Sequence, residues 1–201
     1  MSEAKPLRFA VTGGIGCGKS ATGAALKTLG VAVLDSDDLA HALLAGDVAV
    51  HAAIRARFGE GVFSEGTINR RALGAIVFAN PTARTDLEAI LHPRIRTQTD
   101  EWLAAKPASQ AAAVIIPLLY EVGRDQDFTT VVSVACSPAT QSERLKQRGW
   151  SEAEISRRLA AQLPTEEKVK RAQAVIWTEG AVENHAEQWR SVLPALSRRL
   201  A

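Results

Sequence analysis

The amino-acid sequence predicts an α/β fold whose core is a five-stranded parallel sheet. Two observations carry this prediction. Five short apolar runs lack the alternation of half-exposed strands, which is typical of strands buried on both faces. Near the start of the chain, a strand, a glycine-rich loop, a helix and a second strand follow one another as a βαβ unit, which makes the two strands parallel. A chain of 201 residues is long enough to bury one such core.

The βαβ unit comes first along the chain. LRFAVT (7–12) is a mostly apolar run that ends at a glycine, and it predicts a buried strand. From Ser20 onward, apolar residues recur three and four positions apart, which predicts a helix that ends at Gly30. VAVLD (31–35) predicts the second strand.

The next part of the chain, from residue 37 to about 107, carries almost no strand signal. It holds helical patterns instead: DDLAHALLA, VHAAIRARF, NRRALGAIVF and a long pattern from Asn80-Pro81 to Trp102. EGVFSEGT between them is typical of a turn-rich connector. We therefore predict a helical insertion over about residues 41–110.

The remaining strands follow the insertion. They are AAAVIIP (111–117), TVVSVA (130–135) and AVIWT (174–178). A basic helical stretch, interrupted at Gly149 and Pro164, precedes the last strand, and a helix with Trp189 and Pro194 closes the chain. The predicted single domain has a core of about 1–40, 111–138 and 172–201, and a separate helical segment of about 139–171.

Composition and charge limit the kinds of ligand that the protein is expected to bind. Hydrophobic residues make up 46% and charged residues 23%, as in ordinary globular proteins, and a formal charge of +2 argues against a nucleic-acid-binding protein. Basic residues nevertheless become frequent after position 140, which suits a small and highly anionic ligand. The alternative is that most of them lie on solvated helix faces. These residues are Arg144, Lys146, Arg148, Arg157, Arg158, Lys168, Lys170 and Arg171.

The cysteines and apolar runs predict the compartment. Cys17 and Cys136 lie far apart and match no metal-ligand spacing, so a reducing compartment is the simplest interpretation. The first residues contain no long apolar segment, and runs such as AAAVIIPLL are too short to span a bilayer. We therefore expect a cytoplasmic protein without membrane contact, as a monomer or a small homo-oligomer.

The segment GGIGCGKS (13–20) is the strongest motif in the chain. It fits G-x-x-x-x-G-K-[ST], the P-loop pattern, and it lies between a predicted strand and a predicted helix as that motif requires. Its glycines let backbone N–H groups point at phosphates, and the helix N-terminus adds positive potential. Lys19 can reach the β and γ phosphates, and the Ser20 hydroxyl can ligate Mg²⁺. These features exclude an ordinary flexible turn.

Two carboxylates follow at the end of the second strand. Asp35 and Asp37 lie where parallel strands present their carboxyl ends to a ligand crevice. A carboxylate there could accept a proton from an attacking hydroxyl or hold Mg²⁺ through water. The alternative is that one of them caps the helix beginning near Leu39.

From VTGGIGCGKSATGAALKTLGVAVLDSDDLAHALL onward, the sequence resembles the dephospho-CoA kinase family. The resemblance continues in INRRALGAIVF (68–78), LHPRI (91–95), IPLLYE (116–121) and QSERLKQRGWSEAEISRRLAAQ (141–162), and it covers nearly the whole chain in order. It implies a P-loop kinase core with a helical acceptor-binding insertion and a mobile lid. It also implies ATP-dependent phosphorylation of the ribose 3′-hydroxyl of dephospho-CoA, with Mg²⁺.

The resemblance assigns roles to the matching residues. Asp37 would be the base, with Lys19 and Arg144 also in catalytic roles. The ATP phosphates would be held by Gly14, Ile15, Gly16, Cys17, Gly18, Lys19, Ser20, Ala21 and, from the lid, Arg148, while Ser20 would ligate the metal. The acceptor side would comprise Asp35, Asn69, Arg70, His92, Leu118 and Glu121, and Gln141 would belong to the lid.

Several of these residues have other interpretations. Arg144 and Arg148 are four apart, which places them on one helix face as a cationic clamp or as surface charges. His92 either contacts a ligand or is a packed or capping histidine, and we expect no role as a base. Glu121 could ligate a metal or anchor an arginine such as Arg144. Cys17 contributes its backbone, and the helix N-terminus could make its thiol sensitive to oxidation.

The sequence departs from the family at two places. His41 stands where the family usually has arginine, and Trp177-Thr178 replaces residues near the adenine site that are usually aspartate and asparagine. Two other functions stay open at this point. A nucleoside or nucleoside-monophosphate kinase would share the core and differ in the insertion, and a binding module would hold ATP without turnover. A GTPase is disfavoured because no N-K-x-D segment is present.

Overall fold

A computed structural model of the protein describes residues 6–181 and 183–198. In chain order, the elements are β1 (Arg8–Gly13), α1 (Lys19–Thr28), β2 (Ala32–Asp35), α2 (Ser36–Gly46), α3 (Val48–Phe58), β3 (Phe63–Ser64), β4 (Thr67–Ile68), α4 (Arg70–Ala79), α5 (Pro81–Ala104), β5 (Ala112–Ile115), β6 (Val131–Ala135), α6 (Pro138–Gln147), α7 (Glu152–Ala160), α8 (Thr165–Arg171), β7 (Ala174–Trp177) and α9 (Glu183–Arg198). Two compact units share these elements, one formed by the chain up to Asp35 and from Ala105 onward, the other by Ser36–Ala104.

The first unit is built on a five-stranded sheet. Its strand order is β2-β5-β1-β6-β7, and every neighbouring pair is parallel, which confirms the predicted sheet. The chain passes from β1 to β2 on one side, and later from β5 to β6 across β1 to the other side. In parallel sheets such a reversal opens a crevice beyond the carboxyl end of the strand where it occurs. That strand is β1.

One face of this sheet carries the main core of the first unit. Phe9 and Val11 of β1 pack in a fully buried cluster with side chains of α1 and α9, and the rings of Phe9 and Trp189 lie 5.8 Å apart. Burying such large apolar side chains is the main favourable contribution to folding. The predicted end of α1 is confirmed, because Gly30 follows its C-cap with φ of +77°.

The second unit contains the helices α2 to α5 and has a core of its own. That core is formed by Leu43, Val50, Ile54, Val62, Ile68, Leu73 and Leu91. The predicted long helix is present as α5, which begins at Pro81 after Asn80, whose side chain accepts hydrogen bonds from Thr82 and Ala83 N–H.

The structure refines two local expectations in this unit. The EGVFSEGT connector contains the antiparallel hairpin of β3 and β4, joined at Glu65 and Gly66, which have φ of +51° and +78°. Strands of two residues are too short to show a period in the sequence. In addition, α2 begins at Ser36, three residues before the expected start near Leu39.

Across residues 6–181 and 183–198, no individual helix combines the length and hydrophobicity needed to cross a bilayer. Only the bent pair Ser36–Gly46 and Val48–Phe58, with a 77° angle between its helices, reaches that threshold by length and composition.

Candidate active site

The P-loop, residues 13–20, joins the carboxyl end of β1 to the first turn of α1. Gly18 is the N-cap of α1 and has φ of +89°, a left-handed conformation that side chains with a Cβ rarely adopt. Gly14 permits a close approach, because a Cβ there would lie 2.4 Å from Thr165 Oγ1 and 2.8 Å from Gln141 Nε2. The glycines are therefore required by the local geometry.

The start of α1 has the properties of an anion site. Thr22 N–H donates to Gly18 O at 3.0 Å, so the amides of Lys19, Ser20 and Ala21 precede this first helical hydrogen bond. Such amides, together with the helix dipole, attract phosphate groups. Ser20 is exposed. The Lys19 ammonium lies along the loop, donating to Gly13 O at 2.8 Å and to Gly14 O at 3.0 Å.

Arg144 lies in the last turn of α6 and reaches the loop. Its Nη1 donates to Thr178 Oγ1 at 3.0 Å and more weakly to Gly16 O at 3.5 Å, while Nη2 donates to Thr178 O. Arg148 behaves differently, because α6 ends at Gln147 and Arg148 is the exposed C-cap residue. Arg144 is held against the P-loop, and the role of Arg148 in holding the phosphates stays a prediction.

Two glutamines bracket the backbone of Ile15 in the P-loop. Gln141 Nε2 donates to Ile15 O at 2.6 Å, and Ile15 N–H donates to Gln162 Oε1 at 3.0 Å. Gln141 is buried in α6, and Gln162 lies in the connection between α7 and α8. Both polar atoms of one P-loop residue are thus held by side chains of the stretch 139–171. An open cleft of about 520 Å³ adjoins this contact and is lined in part by Gly14 and Pro164.

The two cysteines are neighbours in the fold. Cys17 and Cys136 are both buried free thiols, and a hydrogen bond between them is the main reason that the pKa of Cys17 is lowered to about 6. A contact to Thr165 and the charge of Lys19 lower that pKa further, while burial opposes them. The same hydrogen bond, together with burial, raises the pKa of Cys136. The thiolate character of Cys17 therefore arises chiefly from its partner.

Glu121 anchors a lysine and not Arg144. Its Oε1 lies 2.7 Å from Lys168 Nζ and accepts Leu163 N–H at 2.8 Å. Lys168 is fully buried in α8 and also donates to Pro117 O at 2.7 Å. Lys168 is therefore an exception to the interpretation that most of the late basic residues lie on solvated helix faces. This ion pair ties α8 to the turn that follows β5.

Replacement of Lys168 by methionine is expected to lower the free energy of unfolding by about 1.5–3 kcal/mol, because Glu121 and Pro117 O would lose the buried ammonium that donates to them. Urea titration measures the change. Lys170→Met is the matched control on the same helix, since Lys170 pairs with Glu167 at 2.7 Å but is 67% exposed. That control is expected to change stability by less than about 1 kcal/mol. Equal losses in the two variants would contradict the structural role of Lys168.

The predicted aspartates lie at the end of β2 and in the first turn of α2. Asp35 is the last residue of β2, half-buried and paired in register with Ile115 of β5. Asp37 begins the second unit with Ser36, and it is exposed in the first turn of α2 beside Asp38. Because α2 begins at Ser36, Asp37 lies within its first turn and Asp35 directly precedes it, so capping by Asp35 stays a prediction.

The predicted acceptor-side residues outside the aspartates and Glu121 differ in exposure and in their local contacts. Asn69 is the N-cap of α4 and accepts Ala72 N–H at 3.1 Å, and Arg70 is exposed at the first helical position. His92 is exposed within α5, so it neither packs in the core nor caps a helix. Leu118, in the turn after β5, is 39% exposed, which is unusual for a leucine of this unit. Of these residues only Asn69 has a clear role in its local fold.

The sequence analysis assigned no contact with the P-loop to Thr178, Cys136 or Gln162. Thr178 and Cys136 directly follow β7 and β6, and the carboxyl ends of parallel strands were the signal that could have identified them. Gln162 carries no such signal, because it lies in an irregular connection. Lys168 sits in the charged run EEKVKR, which is typical of a solvated helix.

Comparison with known proteins connects this geometry to a family. The sequence profile described as dephospho-CoA kinase matches residues 7–184. A dephospho-CoA kinase from Synechococcus sp. (strain CC9902) is 38% identical over 189 residues, which cover 92% of this chain and 95% of that protein.

Solved structures give a similar result. A crystal structure of a protein from Thermus thermophilus superimposes with a TM-score of 0.83 at 34% identity, covering 96% of this chain and 98% of that one. A dephospho-CoA kinase from Campylobacter jejuni superimposes with a TM-score of 0.65 at 28% identity, covering 95% and 97%. The fold and nearly the full length of the chain are thus shared with these proteins.

Proposed function

Because the chain belongs to the dephospho-CoA kinase family and is a kinase, we propose that it transfers the γ-phosphoryl group of ATP to the ribose 3′-hydroxyl of dephospho-CoA. The products are CoA and ADP, as in the last step of coenzyme A synthesis. The match over residues 7–184, which includes the P-loop and the acceptor-side motifs, carries this proposal.

The proposed reaction is an in-line displacement. The 3′ oxygen forms a bond to the γ phosphorus, while the bond from that phosphorus to the oxygen bridging it to the β phosphate breaks. ADP leaves with the electron pair of the broken bond. Asp37 accepts the proton of the 3′-hydroxyl, a role for which an exposed carboxylate in the first turn of α2 is suited.

The P-loop supplies charge and fixed dipoles. In the proposal, the amides at the start of α1 hold the phosphate chain, and Lys19 moves from the carbonyls of Gly13 and Gly14 to the β and γ oxygens. The exposed Ser20 hydroxyl is a hard oxygen donor and fits Mg²⁺ shared with phosphate oxygens. When bound, that ion would neutralise charge on the transferring group.

The stretch 139–171 acts as the lid in this proposal. Arg144, Gln141 and Gln162 already contact P-loop backbone, which supports a role for this stretch in enclosing the phosphates. Excluding water matters because a wet γ-phosphoryl group would be hydrolysed instead of transferred. The proposal locates the reaction in the cytoplasm, where free thiols such as those of Cys17 and Cys136 stay reduced.

The decisive experiment measures ADP release by the purified protein with a panel of acceptors. Dephospho-CoA is expected to accelerate ADP release well above the rate with ATP and Mg²⁺ alone, and chromatography should show CoA as the product. Adenosine and CMP serve as comparison acceptors. No acceleration by dephospho-CoA would overturn the proposal, and faster turnover with CMP or adenosine would indicate a nucleoside or nucleoside-monophosphate kinase.

A further inference from the structure

Thr178 occupies an unusual position beneath the P-loop. It directly follows β7, is fully buried, and its own N–H donates to Ala135 O at 2.8 Å. Its hydroxyl lies 2.9 Å from Cys17 O and 3.2 Å from Ala135 O, and it accepts a hydrogen bond from Arg144 Nη1 at 3.0 Å. A hydroxyl carries one proton, and the shorter distance favours donation to Cys17 O. Arg144, Thr178 and Cys17 then form one continuous hydrogen-bonded chain.

The contact at Cys17 O sets the orientation of a P-loop peptide. The Cys17 carbonyl and the Gly18 N–H belong to the same peptide group, and in a trans peptide they point in opposite directions. The described bonds contain no cis peptide. Because Cys17 O points at a fully buried hydroxyl, the Gly18 N–H is directed away from Thr178, toward the open side of the loop.

The same side chain supports the next residue sterically. A Cβ on Gly18 would lie 3.3 Å from both the methyl carbon and the hydroxyl oxygen of Thr178. Gly18 has φ of +89° and is the N-cap of α1, so this contact lies where the loop turns into the helix. Both η nitrogens of Arg144 also donate hydrogen bonds to Thr178, Nη1 to its hydroxyl and Nη2 to its carbonyl oxygen. One buried residue therefore links the loop, the helix start and the arginine.

We propose that Thr178 is a positioning residue that orients the Cys17–Gly18 peptide and Arg144 for binding the phosphates of ATP. It touches no reacting atom and acts through the P-loop amide and the guanidinium. This role rests on the proposed function, because it concerns the nucleotide of that reaction. Trp177-Thr178 is one of the two places at which the chain departs from its family, and the proposed role assigns a function to Thr178 there.

The test compares variants of Thr178 that keep or lose the side-chain hydroxyl. Thr178→Val keeps the shape and removes the hydroxyl, so kcat/KM for ATP and the affinity for ATP are expected to fall about 10- to 100-fold, as for lost hydrogen bonds that involve a charged group. Thr178→Ser keeps the hydroxyl and is expected to stay within about threefold of the parent protein. The KM for dephospho-CoA should change in neither variant. Thr99→Val is the matched control, because Thr99 is equally buried and donates to Ile95 O at 2.6 Å in the second unit.

The binding titration with ATP alone separates this role from the proposed function. If dephospho-CoA is not the acceptor, turnover fails in every variant while the ATP affinities still rank serine above valine. Should the valine variant fail to fold, Thr178→Ala and Thr178→Ser form a second pair that differs only in the hydroxyl. Equal ATP affinities in two folded variants with and without the hydroxyl would overturn the inference, and so would an equal loss in Thr99→Val.

Discussion

Lys19→Ala is expected to lower kcat by about 100- to 1,000-fold, the range found when one preorganised donor to a developing charge is removed. The ammonium lies at the start of α1 on a half-exposed side chain, within reach of both Gly13 O and Gly14 O. Charge on the transferring phosphoryl oxygens grows toward the transition state, so a positive charge there acts mainly on the rate. A steady-state assay at saturating ATP measures the effect.

The fold is expected to survive this substitution. Lys19 donates to two carbonyls of its own loop, and loss of such hydrogen bonds costs about 0.5–1.5 kcal/mol each. Lys27→Ala is the matched control, because Lys27 is an exposed lysine in the last turn of the same helix. Lys27→Ala should retain full activity, with a loss of stability of about 0.3–1 kcal/mol from the helix dipole.

Lys19→Arg separates charge from shape. A planar guanidinium is larger than an ammonium and cannot place its charge at the same point between the β and γ oxygens, so activity should stay low. Restored activity in the arginine variant would show that only charge matters at this position. A melting temperature that falls as sharply as the activity of Lys19→Ala would instead identify a structural lysine.

The centre of the sheet was predictable because its three central strands, β5, β1 and β6, are buried on both faces. A strand buried on both faces reads as an uninterrupted apolar run, and β6 begins and ends within one residue of the run TVVSVA. The edge strand β7 is only partly buried, but the short apolar run AVIWT also predicted it within one residue. The hairpin of β3 and β4 was not predictable in this way. Its stability comes from burial of Ile68 and Val62 in the second unit's core, which is a tertiary effect without a local signal.

The residues of the candidate site were likewise predictable only in part. The spacing of the P-loop residues is set by phosphate binding, which many proteins share, so the motif can be recognised from the sequence alone. Contacts such as Lys168 with Glu121 join residues far apart in the chain. Nothing in a charged helix distinguishes the one lysine that turns inward from Lys170, which does not.

Asp37→Asn is expected to reduce kcat by about 100- to 10,000-fold, the contribution typical of a general base. The amide keeps the size of the carboxylate but cannot accept the proton of the 3′-hydroxyl. Affinity for ATP should stay close to that of the parent protein, because the phosphates are held by the P-loop in the proposed mechanism. Turnover with dephospho-CoA and an ATP binding titration together measure the two quantities.

Asp38→Asn is the control that isolates chemistry from helix stability. Both aspartates lie in the first turn of α2 and both are exposed, so each favours the helix through its dipole by about 0.3–1 kcal/mol. The two variants are therefore expected to lose similar stability in urea. Only Asp37→Asn should lose activity.

The same pair of variants distinguishes the remaining roles for the carboxylate. If Asp37 held Mg²⁺ through water and took no proton, a higher Mg²⁺ concentration would restore much of the lost rate, whereas loss of a base cannot be restored by metal. Full acceptor-dependent activity in Asp37→Asn would remove Asp37 from the mechanism altogether. A protein that binds ATP but turns over with none of dephospho-CoA, adenosine and CMP, with either aspartate or asparagine at position 37, would be a binding module.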